Sequence, residues 1–166
     1  MSDRTEIVSA ILELLVHRDE TIATAESLTG GLLCSAMVDV AGASQAVRGG
    51  VVAYAADTKH SLLGVDGALV ALRGTVDAEV ARQMAVGARR HLDASWGVAT
   101  TGVAGPEAHD GKPAGTVFVA VSGPTGERVN ELSLDGDRDG IRQRTVDAAL
   151  SLLLATLEEQ SAASGG

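Results

Sequence analysis

Between about Asp3 and Arg18 the apolar positions Ile7, Ala10, Ile11, Leu14 and Leu15 recur at helical spacing, predicting an opening helix with one greasy face turned to a sheet. Asp3 is placed to cap it. Thr21 to Ala25 is short and rich in β-formers, as an interior strand is. Gly31 to Val40 returns to a helical pattern that stops at Ala41-Gly42. Val47 to Tyr54 reads as a second strand, in which Gly49-Gly50 marks a bulge or a close backbone approach. A short helix over Asp57 to Leu63 then places Lys59 within a turn or so of Tyr54.

The second half repeats this alternation and then departs from it. Val80, Ala81, Met84, Ala85 and Ala88 stripe one face of a helix from Ala78 to Leu92, with Asp77 as its N-cap. Trp96 to Thr101 is a buried strand, and it runs into a loop rich in Gly and Pro from Gly102 to Gly115. Two further strands, Thr116 to Ser122 and Arg128 to Leu134, flank the turn Pro124-Thr125-Gly126 as an antiparallel hairpin. A last helix over Asp139 to Leu157 precedes a flexible tail at 161–166, which has nothing to bury. The pattern is that of one α/β domain over residues 1–160 with a mixed sheet.

Composition narrows what such a domain does. The chain has 166 residues, 45% of them hydrophobic, enough for one substantial core and too few for two ordinary domains. Aromatics are scarce, so base-stacking platforms are lacking, and a formal net charge of −9 argues against general nucleic-acid binding. No apolar run approaches a membrane span and Met1-Ser2-Asp3-Arg4 opens no signal peptide, so a soluble, cytoplasmic protein is expected. Cys34 is alone, which leaves no intramolecular disulfide or multi-cysteine zinc pattern. No His pair has ligand spacing, so neither a metal nor another cofactor is expected.

Candidate chemistry collects at three junctions. In Thr24-Ala25-Glu26-Ser27-Leu28-Thr29-Gly30-Gly31 a strand gives way to a helix through hydroxyls and glycines. Amides at such a helix start stabilise negative charge, and glycines let a substrate come close. The plainer reading makes Ser27 or Thr29 an N-cap. Ser27, Tyr54 and Lys59 all fall near the ends of consecutive strands, suggesting a serine nucleophile with a neutral lysine as base. The plainer reading of Lys59 is a solvated helix lysine. Arg138 and Arg142 share a helix face and are spaced to grip a phosphate or carboxylate, or to pair with Asp137 and Asp139. Thr101-Gly102-Val103-Ala104-Gly105-Pro106 follows a strand as an amide-exposing loop does, and Lys112 adds a cation.

Five blocks together, Ala25-Glu26-Ser27-Leu28-Thr29-Gly30-Gly31, Gly49 to Tyr54, Thr101 to Pro106, Lys112 to Val117 and Gly136-Asp137-Arg138, resemble the CinA C-terminal domain family across nearly the whole chain. The resemblance implies a three-layer α/β/α sandwich and a nicotinamide-nucleotide amidohydrolase, converting nicotinamide mononucleotide to nicotinate mononucleotide and ammonia without a cofactor. It makes Ser27 the nucleophile, Lys59 its base and Tyr54 an assistant. Thr29, Gly30 and Gly31 become oxyanion donors, and Thr101, Gly102, Gly105, Arg138 and Arg142 nucleotide contacts. It also implies a homodimer of the stand-alone deamidase form. Leu28 stands where the family often has Cys, Ala55-Ala56 where it has Ser-Asn, and Asp77 where serine is usual. A non-catalytic nucleotide-binding or regulatory module is the alternative. A DNA-uptake partner finds no support in the charge.

Overall fold

The chain is represented by a computed structural model that describes residues 2–165, with side chains from residue 4. In chain order it forms α1 (Ser2–His17), β1 (Ile22–Glu26), α2 (Leu32–Val38), β2 (Val47–Val52), α3 (Ala56–Leu63), α4 (Gly67–Arg73), α5 (Ala78–His91), β3 (Trp96–Gly102), β4 (Thr116–Gly123), β5 (Gly126–Ser133) and α6 (Arg138–Ser164). The five strands lie in the order β2-β1-β3-β4-β5. β1 is parallel to both of its neighbours, whereas β3, β4 and β5 are successively antiparallel. The expected mixed sheet and three-layer sandwich are the ones observed.

Strand periodicity divides the core. Along β4, Val117, Val119 and Val121 face a cluster built with α1, α2 and α6, while Phe118 and Ala120 face a second cluster built with α3 and α5. The small residues Ala23, Ala25 and Ala99 draw α5 close on that second face. The expected aspartate cap at Asp77 is in place, and two further aspartates, Asp66 and Asp137, cap α4 and α6. Asp77 accepts from the Glu79 and Val80 amides at 2.9 and 3.2 Å, and Asp137 from Gly140 at 2.8 Å. Asp137 therefore caps α6 instead of pairing with its arginines. The expected cap at Asp3 lies outside the described side chains.

The glycine pair behaves as its position foretold. A bulge shifts the register so that Ile22 faces Val47 and Ala23 faces Gly49, and a Cβ on Gly50 would lie 2.2 Å from Thr24 Oγ1. Three boundaries differ from expectation. β2 stops at Val52, leaving Tyr54 beyond the strand. α4 was not anticipated, because none of its residues is buried and no apolar stripe marks it. α6 runs to Ser164, so residues 161–164 continue a helix instead of forming a tail.

The topology sets where a site falls. From β1 the chain passes through α2 to β2 on one side, and from β2 it crosses through α3 to α5 to β3 on the other. The carboxyl ends of β1 and β3 therefore diverge at a switch point, where open α/β sheets leave a crevice.

Candidate active site

Ser27 is the first residue after β1, and the backbone there is closed into a tight turn. Its N–H donates to the Thr100 carbonyl at 3.1 Å, and the Gly30 N–H donates back to the Ser27 carbonyl at 3.1 Å. Gly30 and Gly31 have φ of +57° and +102°, a left-handed path that favours glycine. Arg142 reaches over from α6 and donates to the Leu28 carbonyl at 2.8 Å and the Thr29 carbonyl at 3.4 Å. Beneath the turn the buried Glu26 carboxylate accepts from the Thr29 hydroxyl at 2.7 Å and from the Leu33 and Cys34 amides at 2.8 and 3.1 Å. The amides that open α2 are thus occupied by a protein carboxylate and not offered to a ligand.

Lys59 comes to the same point from α3. Only 1% of it is exposed, and its Nζ lies 3.0 Å from Ser27 Oγ, 2.7 Å from the Ala53 carbonyl and 3.3 Å from the Tyr54 carbonyl. The two carbonyls can only accept, whereas the hydroxyl can donate or accept. A neutral amine has two hydrogens and one lone pair, so the carbonyls take both hydrogens and the lone pair faces the serine. Burial favours that form, lowering the Lys59 pKa from 10.5 to about 8.

A cleft of about 570 Å³ opens above this pair between the ends of β1 and β3. Ser27 and Leu28 lie on its floor side, the loop from Gly102 to His109 forms one wall, and Tyr54 and Arg138 close another. Arg138 donates to the Gly105 carbonyl at 2.6 Å and to the Tyr54 hydroxyl at 3.1 Å. The loop is itself pinned: Asp110 accepts from the Thr75 amide at 3.0 Å, and His109 and Lys112 exchange backbone bonds across Asp110-Gly111. The Leu28 amide, next after the serine, has no hydrogen-bond partner among the described residues.

Of the residues the sequence singled out, Ser27, Lys59, Tyr54, Gly102, Gly105 and Arg138 come together here. Others do not line the cleft. Thr29 is buried with its hydroxyl on Glu26 and 2.8 Å from Thr100 Oγ1, and Thr101 donates to the Thr75 carbonyl at 2.8 Å. The Gly30 amide is used inside the turn; the Leu28, Thr29 and Gly31 amides have no partner among the described residues, and of these three residues Leu28 is the one that lines the cleft. Arg142 holds the turn from behind, which separates it from Arg138 although the two share a helix face. Tyr54 meets Lys59 through its carbonyl and not its phenol. Lys112 donates to the Val76 carbonyl and stacks over Phe118, away from the cleft. Sequence reasoning missed Leu28, Thr75 and His109, whose side chains carry no motif, and the buried Glu26, whose charge in an apolar strand was a usable signal.

The fold and site together define an α/β protein with a serine and a buried lysine joined at the switch point of a mixed sheet. The CinA C-terminal domain model matches residues 4–157, and the chain belongs to that family. It is 49% identical over 143 residues to a CinA-like protein of Frankia casuarinae, covering 86% of this chain and 33% of that one. It is 44% identical over 150 residues to a putative competence-damage inducible protein of Desulforamulus reducens, covering 90% and 36%. The chain thus spans about a third of the length of the curated relatives it matches. Among solved structures, a competence/damage inducible protein of Agrobacterium tumefaciens is 36% identical with a TM-score of 0.89, covering 94% of this chain and 96% of that one. A CinA superfamily protein of Klebsiella pneumoniae is 28% identical with a TM-score of 0.90, covering 94% and 98%.

Proposed function

We propose that the protein is a nicotinamide-nucleotide amidohydrolase that releases ammonia from the carboxamide of nicotinamide mononucleotide. The observation that carries this reading is the 3.0 Å approach of the buried Lys59 amine to the Ser27 hydroxyl at the floor of an open cleft. Ser27 Oγ attacks the carboxamide carbon while its proton passes to the Lys59 lone pair. The carbonyl oxygen becomes an oxyanion, which the free Leu28 amide is placed to receive as the donor next to the nucleophile. The carbon–nitrogen bond then breaks, Lys59 returns the proton to the leaving nitrogen, and ammonia departs. Water attacks the resulting ester, giving a proton to Lys59, and the serine recovers that proton as the carbon–oxygen bond breaks. The acid product ionises on release.

Recognition of the rest of the substrate falls to the cleft walls. A pyridinium ring beside Lys59 disfavours a second positive charge and keeps the amine neutral. Arg138, fixed by Gly105 and Tyr54, supplies the counter-charge for the phosphate. The test is an ammonia-release assay with nicotinamide mononucleotide. Ser27→Ala is expected to abolish turnover with an unchanged melting temperature, and a variant that keeps full activity would remove the nucleophile.

A further inference from the structure

The Glu26 carboxylate takes no part in these steps, yet it is buried and forms no ion pair among the described residues. Burying an unpaired charge is costly unless hydrogen bonds satisfy it. Here three donors converge on the two oxygens. Oε1 takes the Thr29 hydroxyl and the Leu33 amide, and Oε2 takes the Cys34 amide. All three donors lie downstream of Ser27. Glu26 itself is the last residue of β1, in register with Val52 on one side and Thr100 on the other. The turn that carries Ser27 is therefore held between a strand end and a helix start that one side chain ties together.

We propose that Glu26 is a positioning residue for the nucleophile: by fastening α2 and Thr29 to the end of β1 it holds Ser27 Oγ against Lys59 Nζ. This rests on the reading of Ser27 as nucleophile. The geometry demands a carboxylate and not its amide. In a glutamine one oxygen becomes an NH2 group. Turned toward Cys34, it sets two donors face to face. Turned the other way, it can bond the Thr29 hydroxyl, which is able to accept, but it meets the Leu33 amide, which is not. Either orientation leaves one amide of α2 without an acceptor and loosens the turn. Glu26 does not line the cleft, so substrate binding is spared.

The experiment measures steady-state ammonia release from nicotinamide mononucleotide by Glu26→Gln, Thr29→Val and Ser27→Ala, with circular dichroism to check folding. Since a misplacement of about 1 Å lowers rates by up to about 100-fold, Glu26→Gln is expected to lose about tenfold or more in kcat with KM within about twofold. Thr29→Val keeps the shape and removes one donor, and should lose kcat by about threefold, again with KM preserved. Wild-type kcat in both variants, or a defect confined to KM, overturns the positioning role. If Glu26→Gln fails to fold, Thr29→Val decides by the same criterion. Full activity in Glu26→Gln beside an inactive Ser27→Ala removes only this proposal, whereas an active Ser27→Ala removes the nucleophile and the positioning role with it.

Discussion

The floor and the mouth of the cleft are built on opposite principles. At the floor Lys59 is 1% exposed and the groups around the serine turn have set partners, from the Ser27 amide on Thr100 to the Glu26 carboxylate under α2, with the Leu28 amide left open. At the mouth Tyr54 is 62% exposed, Arg138 rests on one carbonyl and one phenol, and the wall is a loop. A low-dielectric floor keeps an amine neutral and gives its lone pair one direction, which proton transfer requires. An exposed mouth that holds a guanidinium suits the phosphate end of the proposed substrate, which must enter and leave. Changes at the floor should therefore act on kcat and changes at the mouth on KM.

The sharpest test of that division is Lys59→Met, which keeps an unbranched chain and deletes the proposed base. General acid–base catalysis contributes about 10²- to 10⁴-fold, so kcat should fall by at least the lower figure while KM holds. In the wild type kcat should rise with pH through about 8 as the amine loses its proton. Stability carries the same signature. Between about 8 and 10.5 the unfolded chain holds a proton on Lys59 that the folded chain does not, so folding becomes more favourable as pH rises. The wild type should gain melting temperature relative to Lys59→Met across that window and not below it. A pH–rate profile with no inflection near 8 would assign the base elsewhere.

The reach of the sequence follows the same boundary. β1, β3 and β4 were legible as short runs of strand-forming residues, because each strand is buried along nearly its whole length. α4 has no fully buried residue, with only Leu69 and Val70 half-buried against the second cluster, and it left no trace. The Ser27–Lys59 pairing was legible as two residues at strand ends, given weight by the family resemblance. What the sequence could not separate were polar residues a few positions apart on one turn or helix. Ser27 opens on the cleft whereas Thr29 turns inward to Glu26, and Arg138 faces the mouth whereas Arg142 braces the turn from behind. Which of two neighbours faces the ligand depends on contacts more than 70 residues away, such as Thr29 with Thr100 and Arg142 with Leu28.

A smaller effect should come from the mouth. Arg138→Ala removes the cation proposed to meet the phosphate, and a charged hydrogen bond of about 1.5–3 kcal/mol corresponds to a rise in KM of about 10- to 100-fold. The change in kcat should stay within about twofold, since no atom of Arg138 touches Ser27 or Lys59. Nicotinamide riboside, which lacks the phosphate, should be turned over equally by both proteins. An equal loss on the riboside would mean that Arg138 organises Tyr54 and the loop instead of binding an anion.

Tyr54 belongs to both regions and makes the finest cut between them. Its carbonyl holds the Lys59 amine at 3.3 Å, while its phenol lies on Arg138 at 3.1 Å. Tyr54→Phe leaves the carbonyl and the ring in place and deletes the phenol oxygen. If the phenol serves only to steady Arg138, KM should rise by about two- to threefold, the scale of one exposed neutral partner to a charged donor, and kcat should hardly move. The family resemblance assigns this residue a catalytic assistance that the observed geometry routes through the backbone. A kcat reduced tenfold in Tyr54→Phe would put the phenol in the proton path, with the ring swinging inward from the position it takes here. The floor and the mouth would then be one device, closed by the substrate.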